Sequence, residues 1–511
     1  MRRALISVSD KTNITTFAKE LVDLGFQIIS TGGTKKVLDQ AGINTISIDE
    51  VTGFPEILNG RVKTLHPLVH GGLLSLRDNE DHVKQVKENN IEYIDLVCVN
   101  LYPFKQTIEK EGTTFDEAIE QIDIGGPSML RSAAKNYKFV SVVTDILDYD
   151  QVISEIKEHG DTLLETKKQL SAKVFRLTAQ YDSYISNYLT KELDIEYPEN
   201  ITLTYEFHQP LRYGENPHQS AALYRRSNSP YSLLNAEILN GKPLSYNNIQ
   251  DANSALNILK EHTAPTAVAL KHMNPCGVGS ASNILDAFTK AYKSDPVSIF
   301  GGIVAVNQEV TKELAIEMNK IFLEIIIAPS YTEDGLLELK KKKNLRVLKL
   351  DTSSDNTDPY QVVSVNGGLL LQNTDDYLVP KEELDVVTDL APTELELEDL
   401  HFAWKVVKHV KSNAIVITKN NQTVGIGAGQ MNRVGAAHIA LNWAKEHGHT
   451  EDLTLSSDAF FPFDDVVKLA HTYGVTKIVQ PGGSIRDKDS IKACNELGIK
   501  MVFTKNRHFK H

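Results

Sequence analysis

Phe26-Gln27-Ile28-Ile29-Ser30-Thr31-Gly32-Gly33-Thr34 is an apolar run that stops at a glycine pair held between two threonines. The run is short and bounded by turn residues, which predicts a buried strand over Phe26 to Ser30. A helix is expected from Lys35 to near Gly42. Thr31 to Thr34 then sits at a helix N-terminus, where free N–H groups and the helix dipole favour an anion. A plain tight turn accounts for the same four residues. Before this stretch, Arg3 to Val8 reads as a strand, and Ile14, Phe17, Ala18, Leu21 and Leu24 recur at helical spacing up to Gly25. After it, Ile43 to Ile48 reads as a third strand. Strand-helix-strand-helix-strand predicts a parallel sheet with covering helices.

Further along, Ile94 to Val99 is an apolar strand ending in Asn100-Leu101-Tyr102-Pro103-Phe104, and Phe139 to Thr144 closes the sheet. Arg61-Val62-Lys63-Thr64-Leu65-His66-Pro67 gathers donors suited to phosphate or carboxamide oxygens. Its plainer reading is a solvated basic loop. Asp123-Ile124-Gly125-Gly126-Pro127 opens a helix whose Arg131 and Lys135, four apart, share a face. Asp123 also suits a helix cap. Residues 145–190 read as amphipathic helices, with Tyr181, Tyr184 and Tyr188 as packing residues. Leu193 to Thr204 reads as a connector, dividing a domain of residues 1–195 from a region of residues 200–511.

The second region opens with the donor-rich Leu211-Arg212-Tyr213-Gly214-Glu215-Asn216-Pro217-His218-Gln219. Asp251-Ala252-Asn253 is expected to start a helix. The strand Ala267 to Leu270 then ends at Lys271-His272, followed by Met273-Asn274-Pro275-Cys276-Gly277, which reads as a turn. A cation beside an imidazole at a strand end suits acid–base chemistry, although polar strand ends also lead simply to surface loops. Gly301-Gly302 precede a strand over Ile303 to Val306, and Glu324 heads another over Ile325 to Ala328. Asn413 to Ile417 and Thr423 to Ile426 flank a hairpin signal at Thr418 to Gln422. Strands over Lys477 to Val479 and Lys500 to Phe503 follow. These are two successive α/β layers, as a diverged duplication produces.

A chain of 511 residues holds two to four domains, and 41% hydrophobic with 24% charged residues is ordinary soluble composition. A net charge of -13 disfavours general nucleic-acid binding, whereas small anions need only local cations. Cys98, Cys276 and Cys494 lie far apart, which fits a reducing cytoplasm. No signal peptide or membrane span is expected. Pro275-Cys276 echoes half of a zinc-deaminase signature, but Gly277-Val278-Gly279 follows and no H-x-E precedes it, so no metal is expected. A non-catalytic nucleotide sensor is the other rival, and it has no use for a titratable cluster such as Tyr102, Asp123 and Lys135.

Taken together the motifs resemble one family closely: the bifunctional purine-synthesis enzymes that join AICAR formyltransferase to IMP cyclohydrolase. The resemblance is carried by Ser7 to Lys11, Thr31 to Thr34, Gly60 to Pro67, Asn100 to Phe104, Gln121 to Gly126, Leu211 to Gln219, Lys271-His272 and Ser456 to Phe463, in family order along essentially the whole chain. It implies an α/β protein with an N-terminal methylglyoxal-synthase-like domain and two C-terminal domains resembling cytidine deaminase. It implies formyl transfer from 10-formyltetrahydrofolate to the 5-amino group of AICAR, then closure of FAICAR to IMP. It also implies a homodimer with formyltransferase sites at the subunit interface, and no catalytic metal.

The resemblance further assigns residues. Lys271, His272 and Asn413 would catalyse formyl transfer, with Arg212, Tyr213, Gly301 and Glu324 around AICAR. Arg433, Phe460, Asp465, Ser484 and Arg507 would lie near the folate. Lys63, Tyr102, Asp123 and Lys135 would catalyse ring closure. Ser9, Asp10, Lys11, Thr31, Gly32, Gly33, Thr34, Arg61, Val62, Thr64, Asn100, Ile124 and Gly125 would hold its nucleotide.

Overall fold

Five strands build the first sheet: β1 (Arg2–Ser7), β2 (Phe26–Ser30), β3 (Thr45–Ser47), β4 (Leu96–Val99) and β5 (Ser141–Val143), in the order β3-β2-β1-β4-β5. Every pairing is parallel. The order reverses between β1 and β4, which opens a crevice at the carboxyl ends. Ile6 lies beside Ser30 and Ser7 beside Val99, so the loops after β1, β2 and β4 leave the sheet together. Ala4, Leu5, Ile6, Ile28, Ile29, Val97 and Val142 form one core with residues of the covering helices. β3 is shorter than its apolar run because Ser47 caps a helix, Ile48–Thr52, through a capping box with Glu50. The helix after β2 begins at Gly32, not Lys35, so the glycine pair forms its first turn.

The computed structural model describes residues 1–226, 232–352 and 358–511. These divide into two compact units, Met1–Thr204 and Tyr205–His511. No helix among the described residues is long and apolar enough to cross a membrane.

The second unit opens with an antiparallel ribbon, β6 (Glu206–Leu211) and β7 (Ala221–Arg225). A six-stranded sheet follows: β8 (Glu237–Asn240), β9 (Thr266–Lys271), β10 (Asn274–Ser280), β11 (Ile303–Val306), β12 (Ile325–Ala328) and β13 (Arg346–Lys349), in the order β10-β9-β11-β12-β13-β8. A second ribbon, β14 (Tyr360–Val365) and β15 (Gly368–Asn373), precedes the last sheet. That sheet holds β16 (Asp385–Val386), β17 (Ile415–Thr418), β18 (Thr423–Gly427), β19 (Leu453–Ser457), β20 (Val475–Gln480) and β21 (Lys500–Phe503), ordered β18-β17-β19-β20-β21-β16.

The two large sheets have one topology. Each consists of an edge hairpin, an antiparallel step, two parallel steps and an antiparallel far edge. Asp251 and Asp399, Met273 and Asn421, Gly277 and Gly425, and Gly279 and Gly427 are each 148 positions apart. The second unit is therefore a duplicated fold. In each copy a Gly-x-Gly strand lies against the next helix. A Cβ on Gly277 would stand 2.0 Å from the Ala291 carbonyl oxygen, and one on Gly425 would stand 2.1 Å from that of Ala440.

The helices Tyr246–Leu259 and Glu394–Val407 fill the layer between the copies. Their Leu256, Leu259, Trp404 and Val407 share one core with Val268 and Ile327 of the first sheet and Val416 and Val479 of the second. The hairpin edges also meet, through an isolated bridge between Gly279 and Gln422.

Two readings of the sequence need correction. The turn after Lys271 is only His272-Met273, and Asn274 to Gly277 belong to β10. Pro275 is tolerated there because β10 is an edge strand with a register shift at that point. Cys276 is thus a strand residue, and burial pushes its thiol up to about 12. Asp251 does not start its helix. Ser245 caps the helix in a capping box with Asn248, so Asp251 lies inside it.

Candidate active sites

In the first unit a cavity of about 540 Å³ opens at the carboxyl ends of β1, β2 and β4. Of the expected nucleotide-holding residues, Ser9, Lys11, Thr31, Gly32, Gly33, Thr34, Arg61, Thr64, Asn100, Ile124 and Gly125 line it, together with Lys63, Tyr102 and Asp123. Thr31 makes no side-chain cap to the helix Gly32–Gln40, so that N-terminus faces the cavity uncapped. Two ammonium groups converge there. Lys63 Nζ lies 3.9 Å from the Cβ position of Gly32, and Lys11 Nζ lies 3.9 Å from that of Gly33. An uncapped helix start flanked by two lysines favours an anion.

The cations already have acidic neighbours. Arg61 pairs with Glu120, and Lys63 Nζ lies 3.8 Å from Glu56. Glu120 lines the cavity and was not anticipated, although it directly precedes Gln121-Ile122-Asp123. Ser7, whose hydroxyl is 2.7 Å from that of Thr31, and Asn59, Gly60 and Met129 were also missed.

Asp123 does two things. Its Oδ1 accepts the Gly126 N–H at 2.9 Å, so it caps the helix Gly125–Lys135. Burial raises its pKa, while the Gly126 and Tyr102 amides and the Lys63 charge pull the other way. A half-buried carboxylate with a raised pKa beside a lysine suits proton transfer. A Cβ on Gly126 would meet Asp123 Oδ2 at 2.5 Å, so a larger residue here would displace the carboxylate.

Three expected residues do not line the cavity. Asp10 is exposed and binds Thr12 through its own carboxylate, at 2.9 Å to the amide and 2.7 Å to the hydroxyl. Val62 bridges to Ile57. Lys135 stands at the far end of the helix Gly125–Lys135, about 15 Å along the axis from Gly125 at 1.5 Å per residue. It lines a separate depression with Arg131, Tyr137 and Phe175. Within one chain, the expected grouping of Lys135 with Tyr102 and Asp123 does not form.

In the second unit, Lys271 and His272 lie at the end of β9. Lys271 Nζ donates to the Phe300 carbonyl at 2.8 Å. His272 and Met273 have φ of 55° and 59°, and His272 is exposed. Gly301, at φ 73°, donates its amide to Phe322 at 2.7 Å. Glu324 accepts from Asn248 at 2.8 Å and lies 3.7 Å from Arg346. These residues sit where β9 ends and where β11, β12 and β13 begin.

Asn413 belongs to the second copy but approaches the same hairpin, because Asn274 Oδ1 accepts the Lys411 amide at 3.0 Å. Both ends of the Asn413 carboxamide are held, Nδ2 on the Gln430 carbonyl at 2.9 Å and Oδ1 by Arg433 at 2.8 Å. Arg433 is only 8% exposed and also binds Ser457 and Asp458. It is placed to orient Asn413. Phe460, Asp465, Ser484 and Arg507 follow the carboxyl ends of β19, β20 and β21. Phe460 is 37% exposed, and Arg507 lies over the Phe509 ring at 4.5 Å. Arg212 and Tyr213 leave β6 as a pair, with the guanidinium 5.5 Å from the ring centroid. Glu215 of the same loop accepts from Asn247 at 3.3 Å, at the start of the helix that carries Asn248 and Asp251.

A family model described as AICARFT/IMPCHase bienzyme matches residues 133–443, and an MGS-like domain model matches residues 13–128. The chain is 58% identical over 511 residues, the whole of both chains, to a protein of Anoxybacillus flavithermus named bifunctional purine biosynthesis protein PurH. It is 56% identical over 514 residues to the protein of that name from Bacillus mycoides, again covering both chains completely. A solved structure described as the crystal structure of ForH is 37% identical, covers 36% of this chain and 95% of that one, and has a TM-score of 0.34. With one family model spanning more than half of its length and relatives matched end to end, the chain belongs to the AICARFT/IMPCHase bienzyme family.

Proposed function

We propose that the protein makes IMP in two steps, with one step in each compact unit. It is a bifunctional AICAR formyltransferase and IMP cyclohydrolase, and the full-length match to bifunctional purine-biosynthesis proteins carries this conclusion. The formyl donor is 10-formyltetrahydrofolate, a co-substrate. The enzyme works in the cytoplasm as a homodimer, with its formyl-transfer sites at the subunit interface.

In the second unit the 5-amino group of AICAR attacks the formyl carbon. Its lone pair is delocalised into the imidazole and carboxamide, so the proton must leave as the bond forms. His272 takes that proton. Lys271 stabilises the oxygen of the tetrahedral intermediate, and Asn413, held at both ends, orients the reactants. Collapse expels the folate N10, which leaves with a proton. The exposed, left-handed position of His272 supports this reading.

In the first unit the product's carboxamide nitrogen attacks its own formyl carbon, and loss of water gives IMP. Both reacting groups belong to one molecule, so holding them together supplies much of the rate. The lysine-flanked helix start holds the phosphate. Asp123, with its raised pKa, takes the carboxamide proton, and Lys63 and Tyr102 stabilise the developing oxyanion. Lys135 has a part in this step only through a second copy of the chain.

Purified protein given AICAR and 10-formyltetrahydrofolate is expected to form IMP. Asp123→Asn is expected to stop ring closure while AICAR is still formylated. Absence of IMP from the unaltered protein, or loss of both activities in a folded Asp123→Asn variant, would overturn the two-site assignment.

A further inference from the structure

The duplication supplies an internal control for the His272 turn. In both copies the edge hairpin turns on two residues of positive φ: His272 and Met273 at 55° and 59° in the first, Asn420 and Asn421 at 54° and 55° in the second. Such turns favour asparagine and glycine, because other side chains crowd the backbone there. The second copy obeys that preference, and the first does not.

Both turns are clamped in the same way. Asp399, in the helix before β17, accepts the Asn421 amide at 2.9 Å. Asp251, at the matching place in the helix before β9, accepts the Met273 amide at 2.8 Å and lies in reach of the His272 amide. The rest of their surroundings differ. Asp399 is buried and also takes the hydroxyls of Thr454 at 2.5 Å and Thr418 at 3.4 Å. By register, the first copy has Leu270 and Ile303 at those two positions, and neither offers a donor. Asp251 is half-buried, and its carboxylate is left to the His272-Met273 turn.

We propose that Asp251 is a positioning residue for formyl transfer, whose carboxylate holds the strained His272-Met273 turn and thereby presents the imidazole. The inference rests on the reading of His272 as the proton acceptor. The turn conformation costs about 1–2 kcal/mol per residue outside glycine, so it persists only where a neighbour fixes it. Two backbone amides on one carboxylate do so without touching the reactants. Burial raises the Asp251 pKa, with those amides and His272 opposing it.

The test uses the full-length enzyme and four variants: His272→Ala, Asp251→Ala, Asp251→Asn, and Asp251→Asn with Met273→Gly. Asp251→Ala and Asp251→Asn are expected to lower kcat for formyl transfer by on the order of 10- to 100-fold, as a misplaced base does, with KM for AICAR within about twofold. Cyclisation of supplied FAICAR, in the first unit, should stay normal, and the retained KM for AICAR reports that the second unit is folded. Glycine at 273 favours the turn by itself, so the double variant should recover at least about threefold of the lost kcat. A purely structural role for Asp251 in its helix would gain nothing from that glycine. Unchanged kcat in both single variants, or no recovery in the double variant, would overturn the proposal. Formyl transfer that survives in His272→Ala would instead remove the reading beneath it.

Discussion

The two copies in the second unit share a topology but carry their expected site residues at opposite ends of it. In the first, the expected site residues Lys271, His272, Gly301 and Glu324 gather where β9 ends and where β11 and β12 begin. In the second, Phe460, Ser484 and Arg507 follow the carboxyl ends of β19, β20 and β21, the usual place for ligands in α/β folds. The hairpin turns diverge likewise. The carbonyls of Asn420 and Asn421 are occupied by Lys290 at 2.6 Å and the Ser280 amide at 2.9 Å, both from the other copy. That turn serves the joint between copies, whereas its twin presents a histidine. Once a fold is duplicated, one copy of a turn can keep the favourable residues and the other is free to carry strained ones.

The largest expected effect separates the two turns. His272→Ala should lower formyl transfer by on the order of 10²- to 10⁴-fold, the usual contribution of a proton-transfer group. Asn420→Ala should leave it within about twofold. An equal loss in both variants would show that the turns do the same job.

Next come the glycines that the copies share. Gly277→Ala and Gly425→Ala each force a methyl onto a helix carbonyl oxygen, at 2.0 and 2.1 Å, where the backbone has to move. Each should destabilise the second unit by about 1–3 kcal/mol in urea unfolding. Unaltered midpoints would break the argument that both hairpins rest on their helices.

A smaller effect belongs to the layer between the copies. Burial pushes His262 down to about 3, and His401 and His409 down to about 4, from an ordinary 6.5. Burial works to raise Glu261, but His409 and Lys408 outweigh it and hold the carboxylate at about 2. The unfolded chain therefore binds protons that the fold refuses. Stability is fully present above pH 6.5 and falls as the pH drops toward 4, with Glu261 adding its loss below 4.5. Trp404 lies in that layer, and its fluorescence should show a denaturant midpoint that declines over this interval. A flat profile would contradict the neutral burial of the three histidines.

The smallest effect sharpens the comparison of the turns. Met273→Gly should stabilise the second unit by about 0.4–1 kcal/mol, and Asn421→Gly by less, since asparagine tolerates positive φ. Equal gains would mean that Met273 carries no strain beyond that of its twin.

Most of the first unit was legible from its sequence. Its strands are apolar runs, β2 and β3 with glycines beside them, and the threonine-glycine loop opens a helix, although the helix takes in the glycines. The hairpin of the second copy was legible because Asn420-Asn421 is ordinary turn chemistry. That of the first was displaced, because Pro275 and Gly277 look like a turn and His272-Met273 does not. Propensity misleads where residues that disfavour positive φ are held in it by a partner elsewhere in the chain. Asp251 was mistaken for a helix start, since a clamp made through backbone amides leaves no mark in the spacing of side chains. Lys135 was grouped with Asp123 by family pattern, but the helix rise carries it to the other end. The burial of Arg433 was illegible for a similar reason: its partners Asp458 and Asn413 lie far away in the sequence.

The core filled jointly by the helices Tyr246–Leu259 and Glu394–Val407 has a consequence for the protein's history and for engineering. Neither copy owns a complete interior, since Leu256 and Trp404 belong to one cluster with strands of both sheets. A gene cut between β13 and β16 would encode two pieces, each with a wet apolar face, and these would have to find one another before either became sound. The ancestor of such a unit is best pictured as a pair of identical chains already resting on those helices, and fusion then made their meeting certain. Shuffling one copy alone between relatives should therefore fail more often than exchanging the pair.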